Sequence, residues 1–293
     1  MKKVKQFAGL VSTFFLLLGA FPPLMAYNLK IEPELFHFSE VKVGKKFQLR
    51  QPLFIYNESD EAATFTLDIV KPSAINIDWI KGYEEIPDTS WFGFESQKVK
   101  IPARSTVNIL LHVDIPKQEK YYNQHYVLSL AVRQELESGQ VTSKRFMYPL
   151  VYIETEFRKW VKNSPAGKTG VSPSVMTPRS LKLGKNEAKD CCKLTVFNNG
   201  INPNTYTIIP TTEFAFGKEQ QVKLTSDFEW LPNPEWLEIQ KKVTIGPGKS
   251  EVLSVNIDLP QMDSLHHKDY EAIVYLQDQE GRLSFVRVQM HIQ

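Results

Sequence analysis

An excess of charge of either sign is missing from this chain: 35 Lys and Arg stand against 33 Asp and Glu, a net charge of +2 over 293 residues. That balance excludes the basic surface by which proteins hold nucleic acid. Cysteine is scarce, at two residues, which excludes a fold stapled by disulfides. After the first 26 residues there is no apolar run of about 18, so no helical membrane span is expected there. Catalytic and cofactor signatures are missing too. No GxSxG elbow occurs, and no set of His, Cys and Asp has metal-ligand spacing. His266 and His267 are neighbours in a loop, which does not put two imidazoles on one metal. Beyond the leader, no segment keeps a helical period over about 12 residues. The expectation is a protein that is not an enzyme and holds no cofactor or metal. At 42% hydrophobic and 23% charged, the chain still has the composition of a folded protein rather than a disordered one.

What is present begins with a leader. Residues 1–26 carry Lys2, Lys3 and Lys5, then an apolar run from Phe7 to Phe21, then Pro22 and Pro23, and a small Ala26 before Tyr27. This is the layout of a signal peptide, too short an apolar run to span a bilayer. Its removal takes three basic residues and no acidic one, so the mature chain has a formal charge of −1. The protein is expected to be exported, to the periplasm or the cell surface.

The remainder repeats itself. Ile101–Pro116 (IPARSTVNILLHVDIP) aligns without gaps on Ile245–Pro260 (IGPGKSEVLSVNIDLP). Val43-Gly44-Lys45 matches Leu183-Gly184-Lys185, Ile55-Tyr56-Asn57 matches Val196-Phe197-Asn198, and Trp91 matches Trp236. Tyr126 and Tyr270 each follow the closing proline by the same ten residues. Within a copy, Val107, Ile109, Leu111, Val113 and Ile115 alternate with more polar positions, the period of two of a strand with one buried face. Leu253, Val255, Ile257 and Leu259 repeat the pattern, and Cys192, Leu194 and Val196 form another set, which turns Cys192 inward and Cys191 outward. Glu137-Ser138-Gly139 and Gln279-Glu280-Gly281 suit hairpin turns. The predicted fold is all-β: two tandem immunoglobulin-like antiparallel β-sandwiches after a signal peptide, at 27–157 and 171–293. Residues 158–170 (RKWVKNSPAGKTG), with four basic residues and a Ser/Pro/Gly cluster, read as a basic linker.

Two fragments, Gly167-Lys168-Thr169 and Gly246–Ser250, carry the GK(S/T) end of a P-loop. The glycine required five residues earlier is Lys162 in one and Val243 in the other, so turns are expected, not phosphate cradles. Trp91 and Trp236 are expected to pack between sheets, with Trp236→Ala costing roughly 3–5 kcal/mol.

The Pro33 and Pro173 openings, the Val/Leu-Gly-Lys step, the strand ending in Asn, the later Trp and the Tyr-led strand resemble the PapD-like and major-sperm-protein-like modules of bacterial envelopes. They are also similar to the peptidoglycan-binding domain of WxL-interacting surface proteins. The resemblance implies a non-catalytic binding or structural role as an envelope or surface assembly factor. Its alternatives are a periplasmic chaperone for surface-fibre subunits, which needs a free sheet edge, or a glycan- or peptidoglycan-binding module. The expected partner is another envelope or extracellular protein, or cell-wall glycan. Loops at the end of a sandwich commonly carry recognition. The candidate binding residues therefore lie in the loops after Pro116 and Pro260: Tyr121, Tyr122, His125, His266 and His267.

Overall fold

The structure, a computed structural model, describes residues 29–136, 145–159, 161, 167–178, 181, 183, 192–211 and 222–292. The leader, the turn at 137–139, Cys191 and most of the basic linker's middle lie outside the described residues.

In the first half the strands are Leu29–Glu32 (β1), Leu35–Val41 (β2), Phe47–Gln48 (β3), Leu53–Asn57 (β4), Ala63–Val70 (β5), Glu84–Glu85 (β6), Phe92–Phe94 (β7), Lys98–Ile101 (β8), Ser105–Ile109 (β9), Leu111–Val113 (β10), His125–Leu136 (β11), Arg145–Met147 (β12) and Leu150–Thr155 (β13). A sheet ordered β2-β13-β11-β5-β8 packs over the smaller sheets β1-β4-β9 and β3-β10-β7. In the second half they are Thr169–Ser172 (β14), Val175–Met176 (β15), Cys192–Asn198 (β16), Asn204–Thr211 (β17), Glu229–Trp230 (β18), Leu237–Ile239 (β19), Lys242–Ile245 (β20), Ser250–Ile257 (β21), Asp269–Gln277 (β22) and Leu283–His291 (β23). Here β14-β16-β21-β19 packs over β15-β23-β22-β17-β20. The protein is all-β, built as two antiparallel sandwiches, and its helical pieces among the described residues are single 3-10 turns.

The two halves share local chemistry. Asn57, at the end of β4, donates its amide nitrogen to the carbonyls of Glu61, Ile101 and Pro102 at 2.8, 3.1 and 2.9 Å. Asn198, at the end of β16, donates to Asn202, Ile245 and Gly246 at 2.8, 2.9 and 3.2 Å. Each asparagine ties a strand end to the turn leaving the facing sheet, which is why a polar side chain sits there 1% exposed. Both halves also have a cis peptide bond at the switch from one sheet to the other, before Pro33 and before Pro173.

Alternation in the sequence marks burial correctly but not pairing. Ile109, Leu111, Val113 and Ile115 all point into the core, yet the run breaks at Leu110 and serves two sheets, β9 beside β4 and β10 between β3 and β7. The matching run in the second half stays one strand, β21. Gly246–Ser250 is a turn between β20 and β21, with Gly248 at φ 63°, a left-handed position that glycine takes at no steric cost. Cys192 faces inward in the second core. Trp91 lies 4.6 Å from the Tyr121 ring inside the first core, whereas Trp236 is only half-buried against the second. The 3–5 kcal/mol expected for Trp236→Ala is corrected accordingly: a half-buried Trp236 has less apolar area to lose.

Candidate functional site

The strands β11, β13, β22 and β23 read as nearly unbroken apolar runs, the pattern of strands covered on both faces. Tyr126, Leu128 and Leu130 fill the first core, while His125 and Val127, on the opposite face of β11, meet the second sandwich. Likewise Tyr152 and Glu154 of β13, Ile273 and Tyr275 of β22, and Phe285 and Arg287 of β23 face across the junction. Tyr83 and Ile80 close one side of this third apolar cluster and Val222 another. Gly82, at φ 100°, lets the chain approach Phe285 so closely that a Cβ there would lie 2.7 Å from the ring.

A charged group lies within this apolar layer. Arg287 of β23, 1% exposed, donates through Nε and Nη2 to both oxygens of Glu154 of β13, at 2.7 and 2.6 Å, and through Nη1 to Glu271 at 2.9 Å and to the Lys223 carbonyl at 2.9 Å. Glu154 also accepts from the Tyr83 hydroxyl at 2.6 Å and bonds His37 Nε2 at 2.9 Å; Glu271 accepts from Thr225 and Gln289. Burial by itself would raise the Glu154 carboxyl; the Arg287 guanidinium outweighs it and holds the group well below the usual carboxylate range. Burial, then the Glu154 charge, pushes the Tyr83 hydroxyl well above its ordinary value. The Arg287, Glu154 and Glu271 group is closed and hydrogen-bonded throughout. It offers specificity of docking rather than a reacting centre.

The loop after Pro116 packs into the first core and against the same junction. Tyr121, Tyr122 and His125 are 8, 3 and 7% exposed and cannot present themselves to a partner. Tyr122 instead accepts from Arg158 Nη2 at 2.7 Å, and the guanidinium lies 3.6 Å from its ring centroid. Asn123, at φ 59°, exchanges hydrogen bonds with the backbone of Arg158 and takes the Ser174 amide at 3.1 Å. The loop thus clamps the chain where it leaves the first sandwich and enters the second. His266 and His267 of the second loop are exposed, with rings 5.9 Å apart. The structure does not bring them near the other three.

A surface that could take a partner lies elsewhere. Strand β2 crosses to the large sheet after Pro33 and runs parallel to β13 from Leu150 to Thr155, covering that edge. The Leu150 amide bonds Glu34, and β2 extends no further. Beyond Pro149, β12 pairs with β11 through Val132↔Met147 and Gln134↔Arg145, and among the described residues no strand covers its other side. Met147 packs into the first core. Phe146, 39% exposed, stacks parallel on Tyr148 at 5.8 Å, and Arg133 lies 5.1 Å from the Phe146 ring. An aromatic pair beside an unpaired edge is the feature sequence reasoning missed. Its signal was the RFMY alternation at Arg145–Tyr148, hidden by the turn before it.

Both sandwiches are immunoglobulin-like. The sheet switch of the opening strand and its parallel pairing to the last strand carry that description. No protein-family model matches the chain, and no curated protein matches it. Among solved structures it is similar to a protein of unknown function from Porphyromonas gingivalis W83, at 13% identity over 90% of this chain and 99% of that one, TM-score 0.35. It is similar to the class 5 fimbriae chaperone CfaA at 15% identity, over 89% and 99%, TM-score 0.31. It is also similar to PapD-like domain 7 of human CEP192 at 12%, over 54% and 99%, TM-score 0.35. At these values the likeness assigns no activity to this chain. Among the described residues no helix is long and apolar enough to cross a membrane, and no group of His, Cys, Asp and Glu is placed to hold a metal.

Proposed function

We propose that this protein is an exported, non-catalytic binding protein that takes an extended segment of another envelope or extracellular protein onto the open edge of β12 by strand addition. The observation that carries the reading is that edge: among the described residues no strand covers its main chain, Met147 packs into the core, and the exposed Phe146 stacks on the half-buried Tyr148 just beyond it. Backbone hydrogen bonds would supply affinity and the alternate side chains selectivity. Edges left unpaired are otherwise a liability that proteins suppress. In its finer form the reading is a PapD-like chaperone that shields subunits of a surface fibre until they assemble.

The test is affinity capture by the mature protein, residues 27–293, from envelope extract of its own source, beside a pulldown on purified wall polymer. The expected result is a stoichiometric protein partner lost on Phe146→Lys, which puts a charge at the edge, with far-ultraviolet circular dichroism unchanged. A partner held equally by Phe146→Lys, or retention on wall polymer alone, overturns the reading.

A further inference from the structure

His125 sits in the junction in a setting that tolerates only its neutral form. Its ring lies flat on Phe285 of β23, centroids 3.8 Å apart and planes 12° from parallel, and meets the Tyr83 ring at 5.8 Å. The side chain is buried, and Nε2 has no hydrogen-bond partner. The charged groups facing it are accounted for on every packed element. Glu154, directly opposite on β13, already receives Arg287 through two nitrogens, Tyr83 and His37; its negative charge favours the imidazolium, but less than burial disfavours it. Arg287 on β23 repels an added proton, and Glu271 on β22 is spoken for by Arg287, Thr225 and Gln289. His37 on β2 is itself bonded to Glu154 at 2.9 Å.

We infer that the two sandwiches are held by an acid-sensitive latch, in which protonation of His125 in mildly acid solution loosens the junction while each sandwich stays folded. A cation there is stripped of water and held near the Arg287 guanidinium, a cost that the Phe285 face and the Glu154 charge offset only in part, whereas an opened junction lets water reach the ring. Burial lowers the closed-state value to about 4 from the ordinary 6.5. A group with a lowered basic pKa stabilises the closed form fully above 6.5 and loses that contribution as pH falls toward 4. Between pH 7 and pH 5 the opened fraction should rise roughly 20-fold.

Adjacent positions on β11 separate local opening from unfolding, since Val127 faces the junction and Leu128 the first core. The measurement is the rate of thiol labelling in Val127→Cys and Leu128→Cys, resolved by peptide mass spectrometry and corrected for thiolate fraction with an unfolded control. From pH 7 to pH 5, Val127→Cys should label roughly 20-fold faster and Leu128→Cys should not. His125→Phe should abolish the acceleration, and His37→Gln should keep it. Equal acceleration at both positions, or acceleration that survives His125→Phe, overturns the latch. Should His125→Phe not fold, nuclear magnetic resonance titration of His125 in the natural chain decides: a midpoint near 6.5 overturns the proposal as well.

Discussion

A polar residue inside an apolar setting is informative at the scale of one side chain, because burying it unpaired is costly. Asn57 and Asn198 hold that position as pieces of structure: each satisfies carbonyls that a turn between sheets leaves without a strand partner. Asn57→Ala should therefore cost about 2–3 kcal/mol, read as a shift of the urea midpoint at unchanged slope. The asparagines were legible, since both end an alternating strand at matched places in the repeat. Glu154, Glu271 and Arg287 were not. Each is a charge within a largely apolar strand, and one sequence gives no way to pair residues 133 positions apart.

At the scale of elements, the strands followed from periodicity, and their sheets did not. The Val107–Ile115 alternation told which side faced inward, but two-sheet pairing depends on which neighbours arrive beside it, β4 for one half and β3 and β7 for the other. The same holds for the matched tryptophans. Trp91 is 8% exposed and ringed by Tyr121 and Tyr126, so Trp91→Ala should cost about 3–5 kcal/mol; Trp236→Ala, from a half-buried site, should cost less than half as much. Parallel thermal denaturation of the two variants checks the ranking, and equal losses would mean that burial is not what separates them. The loops after Pro116 and Pro260, alike in length and place, diverge for a tertiary reason. Only the first stands where the chain crosses between sandwiches, and there Asn123 and Tyr122 turn into clamps on Arg158.

At the scale of the molecule, the junction joins two cores through a third apolar cluster and one buried ion group. Calorimetry of the mature protein should show a single transition, because opening the junction exposes Arg287 and its carboxylates together with the faces of four central strands. Arg287→Leu leaves Glu154 and Glu271 buried without their cation. It should lower stability by about 3–5 kcal/mol and split the transition in two. One unsplit peak in that variant would mean that the apolar contacts alone couple the sandwiches.

Local patterning determined the all-β class, the inward faces and the strand-ending asparagines, because each is written within a few residues by period and turn chemistry. Tertiary structure decided everything that depends on two distant segments meeting. It chose which face of β11 turned from solvent to junction, and it paired Glu154 with Arg287. It buried Tyr121, Tyr122 and His125, and among the described residues left the β12 edge uncovered where β2 ends. Those outcomes follow from docking one sheet on another, and no spacing along a single chain encodes them.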